Sequence, residues 1–428
     1  MNKNLLWVYL FQIFKLLNGL IPILLLPIFL DPIDQGLWFL ILSFGSIILL
    51  FSVSQNHIAL IFGAHEFKEL KFIDFNVFGK TKNIESLYAF IVYSNVFFIK
   101  VLITMSVVVT FLFYVYIDEG ASSSIIYIFI MYIMGLFLYA LSFSFLSYIE
   151  SFNQVLYSYQ YKTLIIASIS ILMILFLILE FKLLSLALAT FCSMFFWFLF
   201  FSSKVVKFFQ FNKFSNLNFS RKKKKIFFNY FIKNSFSMIS GFLLFQIYTP
   251  MVYYYYGSVF SGRVGLSIAI MTALFAVSTA VLNIKLPKVT QFIALKKYRE
   301  AYDIYFKTSY YSILIFLFFL FIGLYLLYNI DIFSIYQKRV VSLESFLILS
   351  CAWFLQLIVY ILVTFIRLFK RELFVLPTIV SSIYIFVSTI IILKYFPNKY
   401  LFMGLLSSYI FGLPWIYKIY RNFLKGKV

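Results

Sequence analysis

Arg221-Lys222-Lys223-Lys224-Lys225 is the one long charge run in the chain, and it stands between two long and mostly apolar halves. Adjacent cations of this kind do not enter hydrocarbon, so the run marks a face in water. Each half is far longer than the ~20 residues that one membrane-spanning helix accommodates. Each must therefore cross and recross a bilayer. The run separates two hydrophobic bundles, and the excess of Lys and Arg in cytoplasmic loops places that division in the cytoplasm.

Composition narrows the class further. The 428 residues are 63% hydrophobic and 12% charged, against about 25% charged in a soluble domain. A polytopic membrane protein fits. The formal charge of +21 does not signal nucleic acid, because the cations gather at the ends of apolar stretches and are not interleaved through a soluble module. Their expected partners are anionic lipid headgroups, met by Arg221, Lys222, Lys223, Lys224 and Lys225. Cys192 and Cys351 fall inside apolar spans and read as small buried hydrophobes. The first apolar stretch is too long for a cleavable leader and has no small-residue cleavage site.

Hydropathy predicts twelve spanning helices, at 5–30, 36–62, 86–116, 124–149, 157–180, 183–204, 227–255, 262–286, 305–329, 342–366, 372–394 and 400–420. Placing both termini in the cytoplasm collects most of the 36 Lys and Arg residues on that side, as the positive-inside rule requires. The outside loops are all short. The larger loops, 63–85, 205–226 and 287–304, are expected to lie as basic amphipathic segments on the membrane surface. The resulting organisation is an N-terminal six-helix lobe at 1–206, a basic cytoplasmic linker at 207–226 and a C-terminal six-helix lobe at 227–428. Six spans per half make both halves enter the membrane in the same direction, which permits a parallel repeat. Gly36-Leu37 and Gly265-Leu266 occupy matching positions near the start of the second span of each half.

No enzyme constellation is visible: there is no Cys/His metal spacing, no Gly-rich phosphate loop and no Ser-His-Asp set, and no cofactor is expected. The two histidines, His57 and His65, lie near the cytoplasmic end of the second span. His57 reads first as an interfacial residue reaching for water, and second as a proton relay. The intramembrane cations say more. Lys15 and Lys100 lie deep in the first and third spans, where a lysine costs ~3 kcal/mol unless it faces water or an anion. Either they line a hydrated cavity that attracts an anionic substrate, or they pair internally and snorkel. Arg263 and Lys285 bound the eighth span and are further candidates for substrate binding, with interfacial anchoring as the plainer role. Glu150, at the inner end of the fourth span, is the candidate for a coupling ion, set against simple solvation at a helix end. The Tyr253–Tyr256 run reads as an interfacial aromatic belt. Pro22 and Pro27 interrupt the first span and Pro250 the seventh, which are the first spans of the two halves. Interrupted helices at corresponding places point to a transporter site.

Two stretches carry a family resemblance. One is Gly36-Leu37-Trp38-Phe39-Leu40-Ile41-Leu42-Ser43 with a span ending near Gly63, and the other runs from Ser278 through Asn283 and Leu286-Pro287-Lys288-Val289-Thr290 to Tyr298 and Phe306. They resemble the second helix, and the eighth helix with its following loop, of Wzx-type O-antigen or capsule-repeat flippases in the multidrug/oligosaccharidyl-lipid/polysaccharide exporter superfamily. The pattern spreads over most of the chain without a sharp motif. It departs from the family at Val53-Ser54-Gln55-Asn56, where an acidic-glycine turn is expected. The resemblance implies two six-helix lobes around a V-shaped cavity and alternating access. It implies movement of an undecaprenyl-diphosphate-linked oligosaccharide from the inner to the outer leaflet of the bacterial plasma membrane. A polysaccharide polymerase and a chain-length regulator are the protein partners it implies.

Two other readings compete, and a third, a lipid II flippase with extra helices, is disfavoured because only twelve spans are counted. A drug or metabolite/cation antiporter of the same fold calls for intramembrane carboxylates, which are scarce here. An O-antigen polymerase, a membrane enzyme, calls for a large outside loop, which the short outside loops do not provide.

Overall fold

The computed structural model describes residues 3–67, 70–73, 76–117, 123–210, 219–369, 371 and 373–425. The fold is all-α. A chain this apolar must satisfy its backbone hydrogen bonds within each segment, and the helix does so. The long helices are α1 (Lys3–Phe29), α2 (Pro32–Phe67), α3 (Thr81–Tyr116), α4 (Ser123–Ser151), α5 (Val155–Ile178) and α6 (Leu184–Gln210), followed by α7 (Arg221–Phe245), α8 (Tyr248–Ala294) and α9 (Tyr298–Asn329). After the short α10 (Ser334–Arg339) come α11 (Leu343–Arg367), α12 (Val375–Tyr395) and α13 (Met403–Lys425). Among the described residues, 11 helices are long and apolar enough to cross a membrane.

The twelfth crossing is hidden in α8. Gly257 has φ 76°, a left-handed conformation inside an otherwise helical run. The Ser261 hydroxyl donates to the Thr249 carbonyl at 3.0 Å. In a continuous helix these two residues would stand about 18 Å apart. The chain therefore folds back at Gly257. The limb before it continues from α7, which is interrupted only at Gln246 and Ile247. Together these segments fill the place of the seventh predicted span, and the limb after Gly257 fills that of the eighth.

All three expected surface loops hold less non-helical chain than the sequence suggested; in 205–226, α6 runs to Gln210 and α7 begins at Arg221. In 63–85, α2 runs on to Phe67, and strands β1 (Lys71–Ile73) and β2 (Asn76–Phe78) pair antiparallel with Phe72 opposite Val77. In 287–304, α8 continues to Ala294 and α9 begins at Tyr298. The charged residues there are good helix formers, so loss of hydrophobicity ends the span without ending the helix. Of the linker 207–226, residues 211–218 lie outside the described residues. Cys192 and Cys351, expected to be buried, are on exposed helix faces.

The chain forms two compact units. The first comprises Met1–Ile21 and Ile41–Phe242, and the second Pro22–Leu40 and Leu243–Val428. The first unit has a core patch on α4, α5 and α6 that includes Phe143, Leu146, Ile165, Met194 and Phe201. The second is centred on Tyr248, Leu282, Tyr305, Phe316, Leu349 and Phe402.

The α1–α2 corner is built firmly into the second unit. A Cβ on Gly36 would lie 1.9 Å from the Ser258 carbonyl oxygen, and one on Gly262 would lie 2.8 Å from the Gly36 nitrogen. A Cβ on Gly265 would meet the Phe39 ring at 2.4 Å. The two glycines that matched by position, Gly36 and Gly265, thus serve one helix crossing. Around it, buried Gln35 donates from Nε2 to the Gly262 carbonyl at 3.0 Å and to the Arg339 carbonyl at 3.3 Å. Arg339 donates from Nη2 to the Leu30 carbonyl at 2.7 Å, which places a cation at the C-terminus of α1. Burial lowers the Arg339 pKa, Asp31 opposes that shift, and Arg263 adds to it. Gly36→Ala and Gly262→Ala are each expected to cost ~1–3 kcal/mol through overpacking. Gly323→Ala, where nothing lies within 4 Å of the added Cβ, should be neutral or slightly stabilising. Thermal unfolding of the purified variants in detergent checks both.

Candidate functional site

Lys15 lies near the middle of α1 and Lys100 near the middle of α3, and both side chains are exposed in the first unit. Neither ammonium enters an ion pair among the described residues. Val96, Ile103 and Val107 run in an exposed apolar stripe with Lys100, whereas Lys15 shares its face of α1 with Gln12 and Asn18. Helical geometry accounts for that stripe, since positions three and four apart share a face. Arg263 and Lys285 are exposed residues of α8 in the second unit.

Glu150 is different. Its carboxylate accepts from the Lys162 ammonium at 2.5 Å and from the Ser158 hydroxyl at 3.5 Å. Lys162 is only 8% exposed. Lys162, near the start of the fifth predicted span, is thus held inward by the acid across the α4–α5 turn. Nearby, the Lys204 ammonium donates to the Tyr157 hydroxyl at 2.7 Å and lies 4.3 Å from the Phe200 ring centroid. Such placement offsets part of the cost of a lysine among aromatic side chains.

The basic run is also partly engaged. Lys223 donates to the Glu66 carboxylate at 2.5 Å and to the Ser86 hydroxyl at 2.9 Å, and Ser86 in turn donates to Glu66 at 2.6 Å. Lys224 lies 5.2 Å from the centroid of the Tyr93 ring. Arg221, Lys222 and Lys225 remain exposed. Of the five cations expected to meet lipid headgroups, Lys223 is the one held by a carboxylate among the described residues.

A buried polar network on α2, α3 and α4 escaped the sequence reading. Gln55 is fully buried and donates to the Tyr148 hydroxyl at 3.0 Å and to the Ser144 hydroxyl at 3.5 Å. Tyr148 also bonds Ser94, and the Ser144 hydroxyl donates to Asn95 Oδ1 at 3.5 Å. Gln55 Oε1 and Asn56 Oδ1 are buried without a partner. The position that departs from the family pattern, Val53-Ser54-Gln55-Asn56, thus supplies uncharged polar groups to the interior of the first unit. Three adjacent polar residues within an apolar span were the available signal. No group of three or more His, Cys, Asp or Glu side chains able to hold a metal occurs among the described residues.

These features define a polytopic helical membrane fold. By sequence, the chain matches no protein-family model and no curated protein. By structure, it is similar to the lipid II flippase MurJ in an inward closed conformation, with TM-score 0.67, 12% identity, and coverage of 99% of this chain and 87% of that one. It is also similar to the MATE multidrug transporter DinF-BH, with TM-score 0.60, 15% identity and coverage of 96% and 93%. A MOP superfamily transporter from Pyrococcus furiosus aligns with TM-score 0.53, 14% identity and coverage of 98% and 95%. Identities this low establish the fold alone.

Breaking the Glu150–Lys162 pair from one side leaves a charge stranded in a low-dielectric site. Glu150→Gln and Lys162→Met are each expected to lower stability by ~3 kcal/mol, and the double variant to recover most of the loss. A double-mutant cycle on thermal unfolding measures the coupling.

Proposed function

We propose that this protein is a flippase that moves an undecaprenyl-diphosphate-linked oligosaccharide, an O-antigen or capsule repeat unit, from the cytoplasmic to the outer leaflet of the bacterial plasma membrane. Lys15 and Lys100 carry the reading. Both sit mid-helix without an ion-pair partner among the described residues, Lys100 on a largely apolar face and Lys15 on a face that also carries Gln12 and Asn18. A lysine at that depth costs ~3 kcal/mol or more in lipid, and a water-filled path visited by a diphosphate removes the cost. Arg263 and Lys285 would supply further cations from the second unit. The polyprenyl chain stays in the apolar phase while the diphosphate and sugars cross, by alternating access of two six-helix lobes, with both termini in the cytoplasm.

The fold is common to flippases and multidrug transporters, so the choice rests on charge. An antiporter of cationic drugs needs a free intramembrane carboxylate, and Glu150 is occupied by Lys162. If Glu150 couples transport to a proton, it does so by exchanging Lys162 for that proton. A polysaccharide polymerase and a chain-length regulator would act on the delivered repeat units. Arg221, Lys222 and Lys225 would hold the cytoplasmic face against anionic lipid.

Replacing Lys15 and Lys100 together by Gln is expected to cut transport by about tenfold or more, the worth of one or two charge-assisted contacts. Lipid-linked repeat units should then accumulate on the inner leaflet while the amount of inserted protein is unchanged. Undiminished delivery to the outer leaflet would refute the assignment.

A further inference from the structure

The second unit has two kinds of open helix surface. Along α9 the exposed side chains from Leu314 to Tyr325 are all Leu, Ile, Phe or Tyr, and along α12 those from Val380 to Ile391 are Val, Ile or Tyr. Such faces suit hydrocarbon. The helices α8 and α11 present a different one. On α8, Thr272, Phe275 and Asn283 fall on one stripe. Thr272 and Asn283 are exposed, and Phe275 is partly so. On α11, Gln356 and Tyr360 stand one turn apart on one face, and both are partly exposed.

Side-chain contacts join the two helices into one surface. The Tyr360 hydroxyl donates to Asn283 Oδ1 at 2.8 Å. The Phe275 ring lies edge-on to Tyr360 and to Trp353, with centroids 5.4 Å and 5.5 Å apart. Gln356 falls between those two residues of α11, so it stands beside Phe275. An amide left open to hydrocarbon costs ~1–3 kcal/mol. Interfacial anchoring could account for Asn283 and Tyr360, which lie toward the ends of their helices. It does not account for Gln356, about 16 Å along α11 from the end at Arg367. This face therefore meets water or a polar ligand.

The chemistry of the face selects the ligand. With Oδ1 taken by Tyr360, the Asn283 amide nitrogen is left to donate, and Gln356 offers both a donor and an acceptor. Thr272, Phe275, Asn283, Gln356 and Tyr360 carry no charge. Beside the amides lie aromatic rings, which accept C–H groups against their faces. Uncharged hydrogen-bonding groups set next to aromatic rings match a molecule with many hydroxyls and apolar C–H surfaces, which is a saccharide. Gln356 and Tyr360 are about 6 Å apart along the helix, the scale of one pyranose ring.

We propose that the shared face of α8 and α11 binds the saccharide portion of the transported lipid, with Asn283 and Gln356 as its hydrogen-bonding groups and Tyr360 as its platform. The inference rests on the flippase reading. It adds a sugar site in the second unit to the lysines proposed for the diphosphate. With both termini in the cytoplasm, Asn283 and Tyr360 lie toward the cytoplasmic ends of their helices and Gln356 lies deeper, the order in which cargo from inside would meet them.

Native mass spectrometry of the full-length protein tests this with two probes: the lipid-linked oligosaccharide extracted from the native cells, and undecaprenyl diphosphate, which has no sugar. The wild type is expected to bind the first about tenfold or more tightly, the worth of one or two further hydrogen bonds. The double variant Asn283→Leu/Gln356→Leu should bind the two probes alike, with its affinity for undecaprenyl diphosphate unchanged. Replacing Lys15 and Lys100 by Gln should weaken both probes. Hydroxyl-radical footprinting of the wild type decides the matter if the variants do not fold: the saccharide-bearing lipid alone should protect Phe275 and Tyr360. Equal wild-type affinity for the two probes, a preference that survives in the double variant, or protection that does not depend on the sugar would overturn this site and leave the flippase standing. Binding of neither probe would overturn the flippase reading and this site with it.

Discussion

Hydrocarbon offers no partner to a backbone N–H or C=O, and every level of this structure answers to that constraint. It makes each span a helix. It sends the chain back across the bilayer through short turns, one of them made at Gly257 with φ 76°. It also raises the stakes for each polar side chain inside a span, because a group that finds no partner there carries its full desolvation cost. Most intramembrane hydroxyls meet the constraint locally by donating to a carbonyl one turn back, as Thr272 does to Ile268 at 2.7 Å and Thr389 to Ile385 at 2.7 Å. The few polar groups that do not are therefore informative. Gln55 reaches across to α4, Glu150 captures Lys162, and Ser142 has nothing.

The compact units do not follow the midpoint of the chain. Residues 22–40, the corner where α1 meets α2, belong with the C-terminal helices, and α7 as far as Phe242 belongs with the N-terminal ones. The first division of α1 falls at Pro22, one of the two prolines that interrupt it, and the division of α7 falls just before the break at Gln246 and Ile247. A proline removes one helical hydrogen bond and kinks the helix. A segment so weakened can leave one packed body and join another without disrupting either core. The chain also changes unit between Leu40 and Ile41, inside α2, where no proline stands.

Much of the fold was legible because hydropathy and the lipid requirement coincide. The predicted spans largely coincide with the helices observed, and the predicted break between 255 and 262 contains Gly257. The ends of helices were less legible, since Lys- and Tyr-rich sequence after a span is compatible with helix, and α8 and α9 extend into the supposed loop from either side, leaving 295–297 between them. The site was legible only in part. Lys15 and Lys100 stand out in apolar surroundings whatever the fold. The Glu150–Lys162 pair did not, because it depends on how α4 and α5 turn against each other. The Lys223–Glu66 pair joins residues 157 positions apart, which no local pattern reports. Ser, Asn and Gln within spans were visible but ambiguous, since only packing decides which donate to their own helix and which build a network.

What separates a carrier of anionic lipid-linked sugar from any other protein of this fold is whether charge deep in α1 and α3 meets water. Lys15→Cys and Lys100→Cys, in a chain with Cys192 and Cys351 replaced by Ser, can be probed in intact membranes with a membrane-impermeant maleimide. Labelling at both positions, slowed by polyprenyl diphosphate, is the expected result. Reaction only with lipid-soluble reagents, at rates that polyprenyl diphosphate leaves unchanged, would place both side chains among acyl chains and contradict the proposed transport path.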